Sequence, residues 1–182
     1  IPDAASLRLI DRLPVHIRQL LADFCWMSDA DLANAVSALL TGLMKSFFVD
    51  AGKPIGLLDG NQPGTGKTLL SRTIARVLDG EEPRLIHYTP NDEELAKRVG
   101  ATLRESRQSV LIFDNAKVQA GSSISSPFLE SNSMGPVISL RILGTSSNYT
   151  RPNDVLWFFT MNSTQTSPDI VSRSLPIRFR HD

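Results

Sequence analysis

The pattern of apolar and polar positions changes character near residue 53. Before it, "SDADLANAVSALLTGLMKSFFV" repeats apolar residues at helical spacing, placing Leu32, Val36, Leu39, Leu40, Leu43 and Phe47 on one face. Ser28, with Asp31 three residues on, predicts the cap that starts this helix. After residue 53, short apolar runs alternate with amphipathic stretches. "PIGLLD" reads as a strand, and "KTLLSRTIARVL" as a helix stopped at Asp79-Gly80. "RLIHY" is a second strand, "DEELAKRVGATLRE" a second helix and "SVLIFD" a buried strand. A Ser/Gly-rich loop (119–126) leads to a short helical piece near "PFLESN". "VISLRIL" and "SNYTR" flank a Gly144-Thr145-Ser146 turn and predict a hairpin. "VLWFFT" is another buried strand, and "PIRFR" closes the chain. This alternation predicts an α/β fold, a parallel sheet with helices on both faces, preceded by a helical segment over residues 1–52.

Composition narrows the picture. A chain of 182 residues can bury one domain core with a small helical annex. Lys plus Arg and Asp plus Glu are 19 each, so no global basic field exists, and any nucleic-acid binding must come from a local patch. The single cysteine, Cys25, excludes an internal disulfide and fits a reducing cytoplasm. The apolar runs fall far short of the roughly 20 residues that span a bilayer, so no membrane partner is expected. The opening "IPDAASLRLIDRL" mixes charged and apolar residues, unlike a signal peptide, and carries no initiating Met. The chain is therefore expected to be a piece of something longer. His16, His87 and His181 lack the close spacing of a metal site, and Trp26 and Trp157 read as core.

The candidate chemistry starts at "DGNQPGTGKTLLS". The phosphate-loop pattern G-x-x-x-x-G-K-[ST] finds its second glycine, lysine and hydroxyl in Gly66, Lys67 and Thr68, with Gly64 inside the loop. Asn61 stands where the first glycine belongs, and Asn tolerates left-handed backbone better than most residues. Glycines let backbone N–H groups turn inward onto phosphate, and the helix that follows adds its positive end. Asn61, Gln62, Pro63, Gly64, Thr65, Gly66, Lys67, Thr68 and Leu69 are thus the expected nucleotide-binding residues. Lys67 would reach the β and γ oxygens, and Thr68 would hold Mg²⁺. The plain alternative is a Gly-rich turn, but a strand before and a helix after favour phosphate.

Three later stretches carry further candidates. "SVLIFDNAK" places Asp114 at a strand end, where an acid can hold Mg²⁺ through water or merely cap a helix. Asn115 follows it, an amide that can orient water but cannot take a proton. "VLWFFTMNST" sets Asn162 just beyond a buried strand, placed to meet the γ-phosphate or the attacking water. "SPDIVSRSLPIRFR" puts Arg173 near the end of a short helix, before a strand. Glu94 and Glu130 are nearby acids that could act as a base or simply be solvated.

Taken in order, these stretches resemble the Walker A, Walker B, sensor 1 and arginine-finger motifs of AAA+ ATPases, over residues 54–180. More closely, "PIGLLDGNQPGTGKTLLSRTIARVL", "YTPNDEELAKRVGATL", "LIFDNAK", "LRILGTS" and "DIVSRSLPIRF" resemble helicase-type ATPase domains of phages and integrative or plasmid-like elements. Those in turn are similar to minichromosome-maintenance helicases. The resemblance implies a three-layer P-loop NTPase core over residues 53–182, with parallel sheet order 5-1-4-3-2. Motors of this kind usually need a lid domain for coupling; none follows Arg180, so a core fragment lacking its C-terminal lid is expected. It implies ATP and Mg²⁺ as ligands, ATP hydrolysis, a homo-oligomeric ring such as a hexamer, and DNA as the substrate in mobile-element replication. Within it Lys67 neutralises phosphate charge, Thr68 and Asp114 hold Mg²⁺, and Asn162 senses the γ-phosphate. Arg173 acts on the neighbouring subunit's ATP. Motor ATPases of this kind usually carry Glu where Asn115 stands, which puts the base for hydrolysis in question. The resemblance also implies that the 137–151 hairpin projects into the ring channel and grips DNA through Arg141, Arg151 and a stacking Tyr149. An edge hairpin with solvated arginines is the plain alternative. A protein-remodelling ATPase and a nonhydrolysing ATP switch are the competing functions.

Overall fold

The computed structural model describes residues 9–47, 52–117, 123–141 and 148–181. In chain order the elements are α1 (Leu9–Arg12), α2 (Val15–Leu21), α3 (Asp29–Leu43), β1 (Ile55–Gly60), α4 (Lys67–Asp79), β2 (Leu85–His87), α5 (Asp92–Glu105) and β3 (Val110–Asp114). They continue with α6 (Pro127–Met134), β4 (Val137–Arg141), β5 (Asn148–Pro152), β6 (Leu156–Thr160), α7 (Pro168–Ser172) and β7 (Ser174–Phe179).

Five strands form one sheet in the order β2-β3-β6-β1-β7, and every pairing in it is parallel. Counting these five strands alone in chain order, the sheet reads 5-1-4-3-2 from the β7 edge. Period-2 alternation explains why both faces are covered. Leu57, Leu111, Phe113, Trp157 and Phe159 point to one face, where they join Leu95, Val99 and Leu103 of α5 and Leu129 of α6. Leu58, Val110, Ile112, Leu156 and Phe158 point to the other, with Leu70 and Ile74 of α4 and Leu32, Ala35 and Leu39 of α3.

α3 begins at the expected cap: Ser28 Oγ accepts from Asp31 N at 3.4 Å. Its buried face differs from the expected stripe. Leu32, Ala35, Ala38, Leu39 and Gly42 are buried, whereas Leu40, Leu43 and Phe47 are exposed. The inward line carries small residues because α4 passes close: a Cβ on Gly42 would lie 2.5 Å from Leu78 Cδ1. Counting large apolar residues overlooks a face chosen for close approach.

The N-terminal helices are strapped to the β7 edge. Buried Asp31 accepts through Oδ1 from both Arg178 N and Arg178 Nε, each at 3.0 Å. Asn34 Nδ2 donates to Pro176 O at 2.7 Å. The rings of Phe24, Trp26 and Phe179 pack together, and Trp157 is fully buried.

β4 and β5 pair antiparallel as the expected hairpin, with Leu140 opposite Tyr149. The Gly144-Thr145-Ser146 turn lies outside the described residues, as does part of the 119–126 loop. Asn153 roots the hairpin: its Nδ2 is 2.9 Å from the carbonyl oxygens of Asn132, Ser133 and Gly135, and buried Lys53 donates to its backbone oxygen. Among the described residues no helix is long and apolar enough to cross a membrane.

Candidate active site

The phosphate loop connects β1 to α4, at the end of the sheet where the parallel strands terminate. Gly64 and Gly66 have φ of 83° and 92°, the left-handed region that only glycine enters without strain. Gly60 matters for space. A Cβ there would sit 2.5 Å from Thr65 Oγ1 and 2.9 Å from Lys67 Nζ. Lys67 is buried beneath the loop, where Nζ donates to Gln62 O at 3.0 Å and Thr65 Oγ1 at 2.8 Å. Burial holds its pKa below the ordinary 10.5, while Asp59 pulls it back up.

Asn61 does not play the expected part. Left-handed non-glycine backbone among the described residues occurs at Asn115 and Ser163, not at Asn61. Instead the Asn61 side chain pairs with the backbone after β7: Nδ2 donates to His181 O at 2.9 Å, and Oδ1 accepts from His181 N at 3.2 Å. An amide offers a donor and an acceptor side by side, as a peptide group does, so it extends the sheet edge at the loop's start. Leu69, also expected at the nucleotide, is 57% exposed. The loop leans on the N-terminal segment, since Cys25 Sγ donates to Thr65 O at 3.4 Å.

Below the loop, β3, β6 and the first turn of α4 bring three oxygens together. Asp114 Oδ1 accepts from Thr68 Oγ1 at 2.7 Å and from Thr160 Oγ1 at 2.9 Å. Thr160 Oγ1 in turn accepts from Asn115 N at 2.8 Å. Thr160 escaped the sequence reading. Its signal is the parallel register, in which Phe113 faces Phe159 and the next residues are Asp114 and Thr160. Asn115 has φ of 53°, so the strand end needs a residue that accepts left-handed backbone, and Asn does.

These groups wall one cavity of about 310 Å³, whose lining includes Gly64, Lys67, Thr68, Asp114, Asn115 and Asn162. Lys117, likewise unforeseen, also lines it. Asn162 Oδ1 is buried and has no hydrogen-bond partner among the described residues. A buried orphan acceptor costs about 1–3 kcal/mol, so it points to a donor that the protein does not supply. The glycine loop, buried lysine and Thr–Asp pair fit a Mg²⁺-bound triphosphate, and the orphan Asn162 oxygen fits a water beside it. No cluster of three His, Cys, Asp or Glu side chains able to hold a metal occurs among the described residues.

Arg173 stands apart from this cavity. It is exposed, donates from Nη1 to Glu130 O at 3.2 Å, and precedes Ser174, which faces Ile55 at the start of β1. The phosphate loop begins after the other end of that strand, about 17 Å away at ~3.3 Å per residue. Glu94 is ion-paired to Arg98 and Glu130 accepts from Ser167 Oγ, so neither lines the cavity as a base.

The hairpin residues also separate. Arg141 is exposed and lines a groove of about 190 Å³ with Tyr149 and with Lys97 and Arg104 of α5. Lys97, Gly100 and Arg104 lie one helical turn apart, a basic stripe visible in the sequence once α5 is known to face the hairpin. Arg151 faces inward and pairs with Asp154 at 2.5 Å, so its charge is already matched. Tyr149 is half-buried against the core, which restricts its ring.

No family model matches the chain. It is similar to the vesicular-fusion protein SEC18 of Candida albicans, with 38% identity over 64 residues, 35% of this chain and 7% of SEC18. In structure it is similar to a JCV helicase chain crystallised with a thiazolopyridinyl-phenoxyphenyl acetamide, with a TM-score of 0.54 and 17% identity. That match covers 82% of this chain and 45% of the helicase chain. The chain thus spans under half the length of either protein, and it carries the α/β fold, with a five-stranded parallel sheet, that a P-loop NTPase uses.

Proposed function

We propose that this chain is the ATPase core of a helicase-type AAA+ motor, acting on DNA as one subunit of a homo-oligomeric ring. The observation that carries this reading is the meeting of Thr68, Asp114 and Thr160 across one cavity from buried Lys67, with Asn162's unpaired oxygen in the same wall.

Each residue has a task in hydrolysis. The loop amides and Lys67 hold the β- and γ-phosphate oxygens, for which Lys67 must leave Gln62 O and Thr65 Oγ1. Thr68 and Asp114 would hold Mg²⁺, which when bound neutralises charge on those oxygens. Asn162 Oδ1 accepts a hydrogen bond from the attacking water. Water's oxygen attacks the γ-phosphorus, the bond to the β-phosphate bridging oxygen breaks, and ADP leaves. Asp114 is the one carboxylate among the described lining residues, and it is occupied by two hydroxyls. The water proton therefore passes to phosphate oxygen or solvent, which a loose transition state permits because positioning and charge carry most of the catalysis. Turnover is slow but measurable in this scheme.

The separation of Arg173 from its own cavity supports an action in trans, on the ATP of a neighbouring subunit. Arg141 and Arg104 give the hairpin side the local basic character that DNA requires, while Lys97 beside them is paired with Glu93 at 3.0 Å. A second reading is a protein-remodelling ATPase, favoured by the 64-residue similarity to SEC18. The test is steady-state phosphate release by assembled protein, with and without single-stranded DNA, against a Lys67→Ala control. DNA-stimulated release supports the motor. Release that ignores DNA favours the protein substrate, and no release above the control leaves a switch that only holds ATP.

A further inference from the structure

We infer that Lys117 is a second phosphate-binding cation, one that recognises the γ-phosphoryl group and so lets the site tell a nucleoside triphosphate from a diphosphate. The inference rests on the cavity being the nucleotide site proposed above.

Lys117 is placed by its neighbours. Asn115 turns the chain through left-handed backbone at φ 53° as it leaves β3. Ala116 is fully buried; its N–H donates to Thr160 O at 2.8 Å and its carbonyl accepts from Thr164 Oγ1 at 3.2 Å. The backbone just before Lys117 is therefore fixed to β6 and to the segment after it. From that anchor the lysine side chain joins the cavity wall that Asp114, Asn115 and Asn162 also form.

Its charge meets no partner among the described residues. Lys67 is held by Gln62 O and Thr65 Oγ1. Lys117 is exposed and has no hydrogen bond or ion pair among the described residues. A solvated lysine is common on a surface, and exposure alone says little. Here the position is specific, because the same cavity holds Asn162's unpaired oxygen and a single carboxylate among the described residues. With an amide at Asn115 instead of an acid, no carboxylate at that position neutralises the ammonium. A triphosphate brings one more negative group than a diphosphate, and Lys117 supplies the matching charge beyond the Thr68–Asp114 pair.

The experiment is a calorimetric titration of the whole chain with AMP-PNP and with ADP, each with Mg²⁺. Lys117→Ala should lower AMP-PNP affinity on the order of five- to tenfold, as expected for one charged hydrogen bond in a half-open site, while ADP affinity stays within twofold. Lys117→Arg keeps the charge and should retain most of the preference for the triphosphate. Should Lys117→Ala fail to fold by circular dichroism, Lys117→Gln serves in its place. Equal losses for both nucleotides, or no loss for either, would overturn the role of Lys117 and leave the proposed nucleotide site standing. A native chain that binds neither nucleotide would overturn both.

Discussion

Replacing Asn61 with Gly restores the glycine that the phosphate-loop pattern asks for, and the structure says this should harm stability rather than improve binding. Asn61 makes two hydrogen bonds to the His181 backbone, at 2.9 and 3.2 Å. A net intramolecular hydrogen bond is worth about 0.5–1.5 kcal/mol, and these groups are exposed, so the pair contributes ~1–2 kcal/mol. In a domain of this size each kcal/mol moves the melting temperature by about 2–4 °C, giving a fall of ~2–8 °C. ATP affinity should stay within about twofold, because neither Asn61 side-chain bond reaches toward the cavity. Asn61→Ala should lose the same stability without glycine's added freedom. The assay is thermal unfolding by circular dichroism beside calorimetric ATP titration. If the melting temperature holds within 1 °C while ATP affinity drops tenfold, Asn61 is a phosphate ligand and the strap is incidental.

In the proposed ATP site, Lys67 should make affinity pH-dependent. Burial has lowered its pKa from 10.5, whereas phosphate favours the charged form, so affinity should fall as pH rises through the lowered value. Lys67→Arg, charged throughout, should flatten that profile in titrations at several pH values. Without nucleotide the sign reverses: the unfolded chain holds this proton more tightly, so the group's contribution to stability rises as pH climbs from the lowered value toward 10.5. Arg173→Ala should leave ATP binding intact and cut ring turnover by on the order of 10³–10⁵. Mixing with Lys67→Ala subunits should restore part of it, and absence of rescue in verified mixed rings would make Arg173 structural. Arg141→Ala should lower the salt slope of single-strand binding by about 0.7 per lost phosphate contact. Arg151→Ala should instead lower stability by ~0.5–1 kcal/mol through the lost Asp154 pair, as measured by denaturant unfolding.

Local order in the chain was enough for much of the fold. The alternation of "PIGLLD", "SVLIFD" and "VLWFFT" with amphipathic stretches located β1, β3, β6 and the helices between them, because period-2 and period-3.6 patterns follow from backbone geometry alone. Gly64 and Gly66 were legible for a similar reason: backbone at positive φ calls for glycine whatever surrounds it. What depends on distant partners was not legible. Asn61 looked like a tolerant loop residue until the chain beyond β7 came alongside it. Thr160 looked like the end of an apolar strand until parallel pairing set it against Asp114. Arg151 and Arg141 looked equivalent until the pleat set Arg151 on the face of buried Ile138, where it pairs with Asp154, and left Arg141 on the exposed face. The buried face of α3 was misjudged because it is chosen by how near α4 passes, and distance between helices is not written in either helix. Short-range sterics decide what a segment is, whereas side-chain partners are decided by packing, and packing exists only once the chain has folded.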